Sequence, residues 1–356
     1  MEPRRLSRRA FLKGSDRGQT GVRPWSDPRW SDPGLTPEAR GADFLVRVHR
    51  QVMACRVEVV LPGECSEHLP VASAALDEAD RLEELMTIFR ETSELTRVNR
   101  EAHEQPVPTD AELFSLLLQS AELHDATDGA FDITSTPLSR CWGFLRRDGR
   151  LPSDGEIESA RANVGMHLVE LDADARTVHF RRAGVALNLG SIGKGFALDR
   201  MGRFLHRNNV NRALISAGSS SILAIGGSPR PWDVDLRSMT SGERLARLRI
   251  ANGAVGTSGA GEQFFEVDGV RYGHVIDPRT GWPASGVLSA SVITSSAAAA
   301  DALSTAFMIG GTDLAQRYCA SNPGVLALIT PDTHDANPSH RPLIFGSYLA
   351  ASVELP

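Results

Sequence analysis

The sequence predicts an α+β fold, with mixed, largely antiparallel sheets and helices packed on them. Short β-branched runs outnumber helical stretches, the two kinds do not alternate regularly, and turn signals such as Asp268-Gly269 join neighbouring runs directly. A doubly wound sheet would instead alternate strand and helix along the chain. The 356 residues are 41% apolar and 23% charged, ordinary globular proportions with enough apolar material for a sizeable core.

At the start, Ser7-Arg8-Arg9-Ala10-Phe11-Leu12-Lys13 looks like a twin-arginine export motif, but the apolar stretch that such a signal carries does not follow it. Residues 1–43 are therefore read as a flexible leader, and a cytoplasmic location is favoured over a periplasmic or membrane-associated one. An ordered domain is expected over 44–330 and a C-terminal tail over 331–356. Residues 57–61 are a β-branched run closed by Pro62-Gly63, a strand entering a turn. Leu76, Ala79, Leu82, Leu85, Met86 and Phe89 recur at helical spacing and predict a helix over 71–89. Ser93 suits a helix N-cap. Leu113, Leu116, Leu117 and Leu123 mark another helix that stops before Asp128-Gly129.

Residues 145–160 read as a polar loop running into a helix start. A buried strand is expected at 185–189, then the turn Gly190-Ser191-Ile192-Gly193-Lys194-Gly195 and a helix over 196–207. Short strands follow at 213–217 and 222–225, and Trp232, Val234 and Leu236 alternate with Asp as in a half-exposed strand. Residues 264–267 and 270–276 flank Asp268-Gly269 as a hairpin, and 287–294 and 325–329 are late strands.

Bulk properties exclude some functions. A net charge of −6, a pI near 6.0 and the lack of a basic block beyond the first dozen residues argue against a nucleic-acid partner. No apolar run is long enough for a transmembrane segment. Cys55, Cys65, Cys141 and Cys319 are irregularly spaced without a C-x-x-C pair, so neither a zinc knuckle nor a disulfide framework is indicated.

Chemistry-bearing residues concentrate in the last third. His274-Val275-Ile276-Asp277-Pro278-Arg279-Thr280-Gly281 gathers polar side chains around a bend. Asp301 and Thr305 stand four apart in an Ala-rich segment; if helical, it carries both oxygens on one face, as hard ligands of the kind Mg²⁺ takes. The turn at 190–195 cradles phosphate or simply connects a strand to a helix; it matches neither a Walker A loop nor G-x-G-x-x-G. Thr127-Asp128-Gly129-Ala130-Phe131-Asp132-Ile133-Thr134 packs a flat ligand or is a loop anchored by its aromatic. Thr257-Ser258-Gly259 holds a ligand oxygen or is only a turn.

Taken in order, Met53-Ala54-Cys55, S-E-L-x-x-x-N, T-D-G-A-F-D-x-T, L-G-S-I-G-K-G-F-A-L-D, A-G-S-S-S-I, T-S-G, H-V-I-D-P-R-T-G-W-P and A-D-A-L-S-T-A resemble the ApbE family, the FAD:protein FMN transferases, over roughly residues 50–329. The resemblance implies a T-fold-like α+β fold and transfer of the FMN phosphoryl of FAD to a Thr or Ser hydroxyl of a target flavoprotein, with release of AMP. It implies an acceptor motif of the form D-x-x-[ST]-G-A-[ST]. It also implies Mg²⁺ held by Asp301, Thr305 and the backbone carbonyl of Ser191, and FAD lined by Met53, Phe89, Ala130, Phe131, Asp132, Asn188, Lys194, His274 and Ile276. His274 would take the proton of the acceptor hydroxyl, with Asp277 as its orienter or as a ligand contact. The chain departs from the family's pattern at Asn188, where Asp is common; at Met53-Ala54-Cys55 in place of Met-Gly-Thr; at Ala260-Gly261 after T-S-G; and at Phe89, where Tyr is frequent. Two alternatives accompany the transferase: an FAD-binding paralogue without transfer, and an FAD pyrophosphatase giving FMN and AMP.

Overall fold

The computed structural model describes residues 44–238, 241–261, 263–332 and 341–356. The twin-arginine-like motif and the leader over 1–43 lie outside them. Chain entry is a hairpin, β1 (Leu45–Val52) and β2 (Cys55–Pro62), followed by α1 (Leu69–Met86), whose buried face is Ala72, Ala75, Leu76, Ala79, Leu82 and Met86. The helix stops short of the expected residue 89, so Phe89 lies beyond it, 77% exposed. Ser93 caps α2 (Glu94–Glu101) by accepting the Thr96 N–H. A short strand, β3 (Val107–Pro108), leads to α3 (Ala111–Ala126), then α4 (Thr136–Cys141) and α5 (Asp154–Arg161), which opens on a capping box between Ser153 and Glu156. β4 (Val169–Asp172) and β5 (Thr177–Phe180) complete a small sheet with β3.

Residues 185–189 are buried and extended but form no strand. Both backbone groups of Leu187 bond the Asn99 side chain (2.7 and 2.9 Å), and the Asn188 N–H bonds the Ile133 carbonyl at 2.8 Å. The apolar run is thus satisfied by a side chain and a loop, where the sequence pattern suggested a ladder. The next helix, α6 (Gly193–Arg207), starts earlier than expected, which puts Lys194 and Gly195 in its first turn.

The central sheet is then assembled from β6 (Ala213–Ala217), β7 (Ser221–Ile225), β10 (Gly253–Gly259), β13 (Val287–Thr294), β14 (Leu326–Pro331) and β15 (Leu343–Gly346) together with the first hairpin. Its order is β1-β2-β6-β7-β10-β13-β14-β15, with every neighbouring pair antiparallel. Thr257, Ser258 and Gly259 belong to β10; they are not a turn. Between β7 and β10 the chain makes β8 (Trp232–Arg237) and β9 (Arg244–Ile250), which join β16 (Ala351–Glu354) in a second sheet. Asp235 on β8 is buried against Arg247 at 2.8 Å, so this strand is less exposed than its alternation suggested. The hairpin β11 (Phe264–Val267) and β12 (Val270–Gly273) forms as expected but ends at Gly273; Ile276 instead bridges Pro283. The long α7 (Ala297–Ser321) bends at Gly311, where φ is 65°.

Helices α1, α6 and α7 cover one face of the central sheet, and the β16-β9-β8 sheet covers the other. The expected tail therefore contributes two paired strands, β15 on an edge of the central sheet and β16 beside β9. Two close approaches set the helical layer. A Cβ on Gly195 would lie 2.1 Å from the Ala297 carbonyl oxygen, and one on Gly256 would lie 2.3 Å from the Ala300 carbonyl carbon. Only glycine lets α6 and β10 come this near α7.

Candidate active site

The carboxylate of Asp301 lies where α6, α7 and β7 meet. The Ser221 hydroxyl, with one hydrogen to give, lies 2.7 Å from Oδ1 and 2.9 Å from Oδ2, and the Gly195 N–H donates to Oδ2 at 2.7 Å. Gly195 is the third residue of α6, where an N–H has no partner within its own helix, and the Asp301 carboxylate of α7 supplies one. Ser191 lies in the turn just before that helix start, ahead of the N-cap Ile192. Thr305 sits one turn along α7, donating to the Asp301 carbonyl at 3.3 Å, and Ser258 on β10 lies 3.2 Å from the Thr305 hydroxyl and 2.8 Å from that of Ser304. The Lys194 ammonium bonds the Ser220 hydroxyl beside this group. Burial pushes the Asp301 carboxyl from 3.8 up to about 7, against the pull of Lys194, Ser221 and the Gly195 N–H. Burial also raises the Cys55 thiol, against the same lysine, which places that side chain within reach of the cluster's charges.

Among the described residues no group of three or more His, Cys, Asp and Glu gathers as a metal cluster. The Asp301 carboxylate and the Thr305 hydroxyl on α7, with the Ser191 carbonyl before α6 as the expected third oxygen, would instead be a sparse hard-oxygen set. Such a set fits a cation whose shell is completed by water and ligand phosphate, as is usual for Mg²⁺.

The residues expected to line a flavin nucleotide are spread over the β1–β2 turn, the 127–134 loop, the turn before α6 and the segment after β12. Met53 and Ala54 form the two-residue β1–β2 turn with φ of 55° and 57°, and the Met53 N–H bonds Glu83 at 2.9 Å. Ala54 thus occupies a left-handed position where the family's glycine carries no Cβ penalty. The Asn188 side chain accepts the Gly190 N–H at 2.9 Å and so closes the turn leading to Ser191. That job needs an oxygen and no charge, so Asn replaces the family's Asp there without loss of the bond. Ala130 and Phe131 are core residues, at 0% and 1% exposure, and can offer a ligand little beyond backbone. Asp132 is buried and fully engaged. Its Oδ1 accepts from the Thr134 N–H and hydroxyl (2.7 and 2.6 Å), and His124 Nδ1 lies 3.3 Å from Oδ2. It holds the 127–134 loop in shape. Burial tends to lower the His124 pKa, but Asp132, the Phe131 carbonyl and Asp125 outweigh it and leave it raised. The same loop is braced by Arg317, 2.9 Å from Asp128, and by Arg279, whose Cγ comes within 3.9 Å of where a Gly129 Cβ would sit.

His274 enters from the hairpin. Its Nδ1 lies 3.2 Å from the Gln263 carbonyl, which can only accept, so Nδ1 carries the hydrogen and the ring's lone pair lies on Nε2. Asp277 is paired to Arg279 through both oxygens at 2.8 and 2.9 Å and also accepts the Arg279 N–H. Its described bonds shape the 277–281 turn, and Gln263 is a described contact of the His274 ring. Ile276 is buried in a satellite cluster with Trp142, whose indole N–H bonds the Gly281 carbonyl at 2.9 Å. Sequence reasoning passed over Ser221, Asp199 and His124, with only the A-G-S-S-S-I string hinting at the first, and it reached Ser258 through Thr257-Ser258-Gly259.

A model of the ApbE family matches residues 53–329. The chain is 32% identical over 301 residues to an FAD:protein FMN transferase of Treponema pallidum, an alignment spanning 78% of this chain and 82% of that protein. It is 31% identical over 240 residues to the FAD:protein FMN transferase of Salmonella typhimurium, covering 65% and 69%. The crystal structure of the ApbE protein from Thermotoga maritima superposes with a TM-score of 0.75 at 31% identity, over 81% of this chain and 94% of that one.

Proposed function

The chain is a transferase of the ApbE family, and on that premise we propose that it moves the FMN moiety of FAD, in the presence of Mg²⁺, to a Thr or Ser hydroxyl of a target flavoprotein and releases AMP. The observation that carries the reading is the Asp301 carboxylate pinned by the first turn of α6 and by β7, with the Thr305 hydroxyl one turn along α7. Asp301, Thr305 and the Ser191 carbonyl would hold the cation, which supplies neutralisation of the charge that grows as a pyrophosphate bond breaks. Lys194 adds a positive charge beside Asp301. Met53, Asn188 and the backbone at Ala130 and Phe131 border the flavin half, with exposed Phe89 as a stacking surface and Asp132 keeping their loop in place. Ile276 supports the segment that carries the base.

Proton removal falls to His274. The Gln263 carbonyl holds its hydrogen on Nδ1, so Nε2 takes the proton from the acceptor hydroxyl. Asp277 acts through the turn it shapes. The test is one incubation with FAD, Mg²⁺ and a peptide bearing D-x-x-[ST]-G-A-[ST]. Covalent flavin fluorescence on the peptide is expected. AMP formed without acceptor would favour a pyrophosphatase, and bound FAD without AMP would favour a binding paralogue. In the same assay His274→Ala should keep FAD affinity while transfer falls about 10²–10⁴-fold, the usual worth of a general base.

A further inference from the structure

We propose that Ser221 is a positioning residue for the divalent cation: it fixes the Asp301 carboxylate so that the lone pairs left on its oxygens keep one direction toward the metal. This deepens the reading of Asp301 as a cation ligand and rests on it. Ser221 is fully buried on β7, directly opposite Gly256 of β10 in the strand register. The bare Cα of Gly256 lets α7 settle onto the sheet: a Cβ there would lie 2.5 Å from the Asp301 backbone nitrogen. Asp301 therefore reaches across β10 to the hydroxyl of the neighbouring strand.

The lone-pair count follows. The single Ser221 hydrogen goes to the nearer oxygen, Oδ1 at 2.7 Å, and the Gly195 N–H goes to Oδ2 at 2.7 Å. Each oxygen keeps a second lone pair, and both lone pairs have a fixed direction because both oxygens are held. Two donors from different elements, α6 and β7, stop the carboxylate rotating about its own bond. Without the hydroxyl, a single backbone N–H on Oδ2 would hold it, and Oδ1 would lose its fixed direction.

The experiment measures Mn²⁺ binding to the purified full chain by electron paramagnetic resonance, in wild type and in Ser221→Ala, Ser221→Thr and Asp301→Ala. Mn²⁺ stands in for Mg²⁺ because both favour oxygen ligands. Ser221→Ala should bind Mn²⁺ about ten-fold or more weakly, the usual cost of losing a group that orients a metal ligand. Ser221→Thr, which keeps the donor, should stay close to wild type. FAD affinity and the circular dichroism spectrum, read in parallel, report whether each variant is folded. Wild-type Mn²⁺ affinity in Ser221→Ala, with binding lost in Asp301→Ala, would overturn the role of Ser221 and leave the cation site standing. So would a folded Ser221→Thr as weak as Asp301→Ala. Equal Mn²⁺ binding by wild type and Asp301→Ala would overturn the cation site and the proposal with it.

Discussion

A carboxylic acid in the interior is where residue chemistry reads out most directly. Asp301 is held near pH 7 by burial, well above its ordinary 3.8. Between those values the folded chain keeps a proton that the unfolded chain has released. The stability contributed by this group is therefore full below the lower value and is lost as pH rises through about 7. In metal-free buffer, the thermal midpoint of wild type minus that of Asp301→Asn should fall as pH goes from about 5 to about 8. A difference that stays flat with pH would contradict the burial. Divalent cation needs the ionised form, so adding it should narrow that difference on the alkaline side. The Asp301/Thr305 pair was legible because four-residue spacing on a helix is a local signal. Ser221 was not, since its partner is 80 residues away and nothing about a serine in a strand announces a carboxylate.

Among the elements, α7 depends on a foreign cap. Asp199 of α6 accepts the Ala297 and Ala298 N–H groups at 2.8 and 3.1 Å and the Ser296 hydroxyl at 2.8 Å. A negative charge there also opposes the positive end of the helix. Asp199→Ala should cost about 1–2 kcal/mol in urea unfolding, and Asp199→Asn less, since the amide oxygen still accepts. Loss confined to activity, with no change in unfolding midpoint, would show that the cap is not what seats the helix. Helices were legible wherever apolar residues recur at helical spacing, as in α1 and α3. β10 was not: Gly-Ala-Val-Gly-Thr-Ser-Gly lacks an alternating apolar face because α7 lies too close for side chains. Residues 185–189 misled in the opposite way, showing a strand's composition while Asn99 supplied the ladder's bonds.

For the molecule as a whole, the fold class was readable, but the strands of the C-terminal segment were not. Its strands are short, and their partners, β14 and β9, are set by topology. Tyr348 and Val353 pack on the cluster around Trp232, and the Tyr348 hydroxyl donates to the Asn252 carbonyl. A chain ended at residue 341 should lose at least about 2 kcal/mol, the worth of one large buried side chain, and chemical denaturation would register it. An unchanged midpoint would mean that these strands are dispensable. The sheet order carries a further consequence. β10 lies between β7 and β13, and the carboxylate seat draws on α6, β7, β10 and α7, from Ser191 to Thr305. Such distant pairings close late in folding. A nascent polypeptide on the ribosome accordingly cannot seat the Asp301 carboxylate until its last third has emerged.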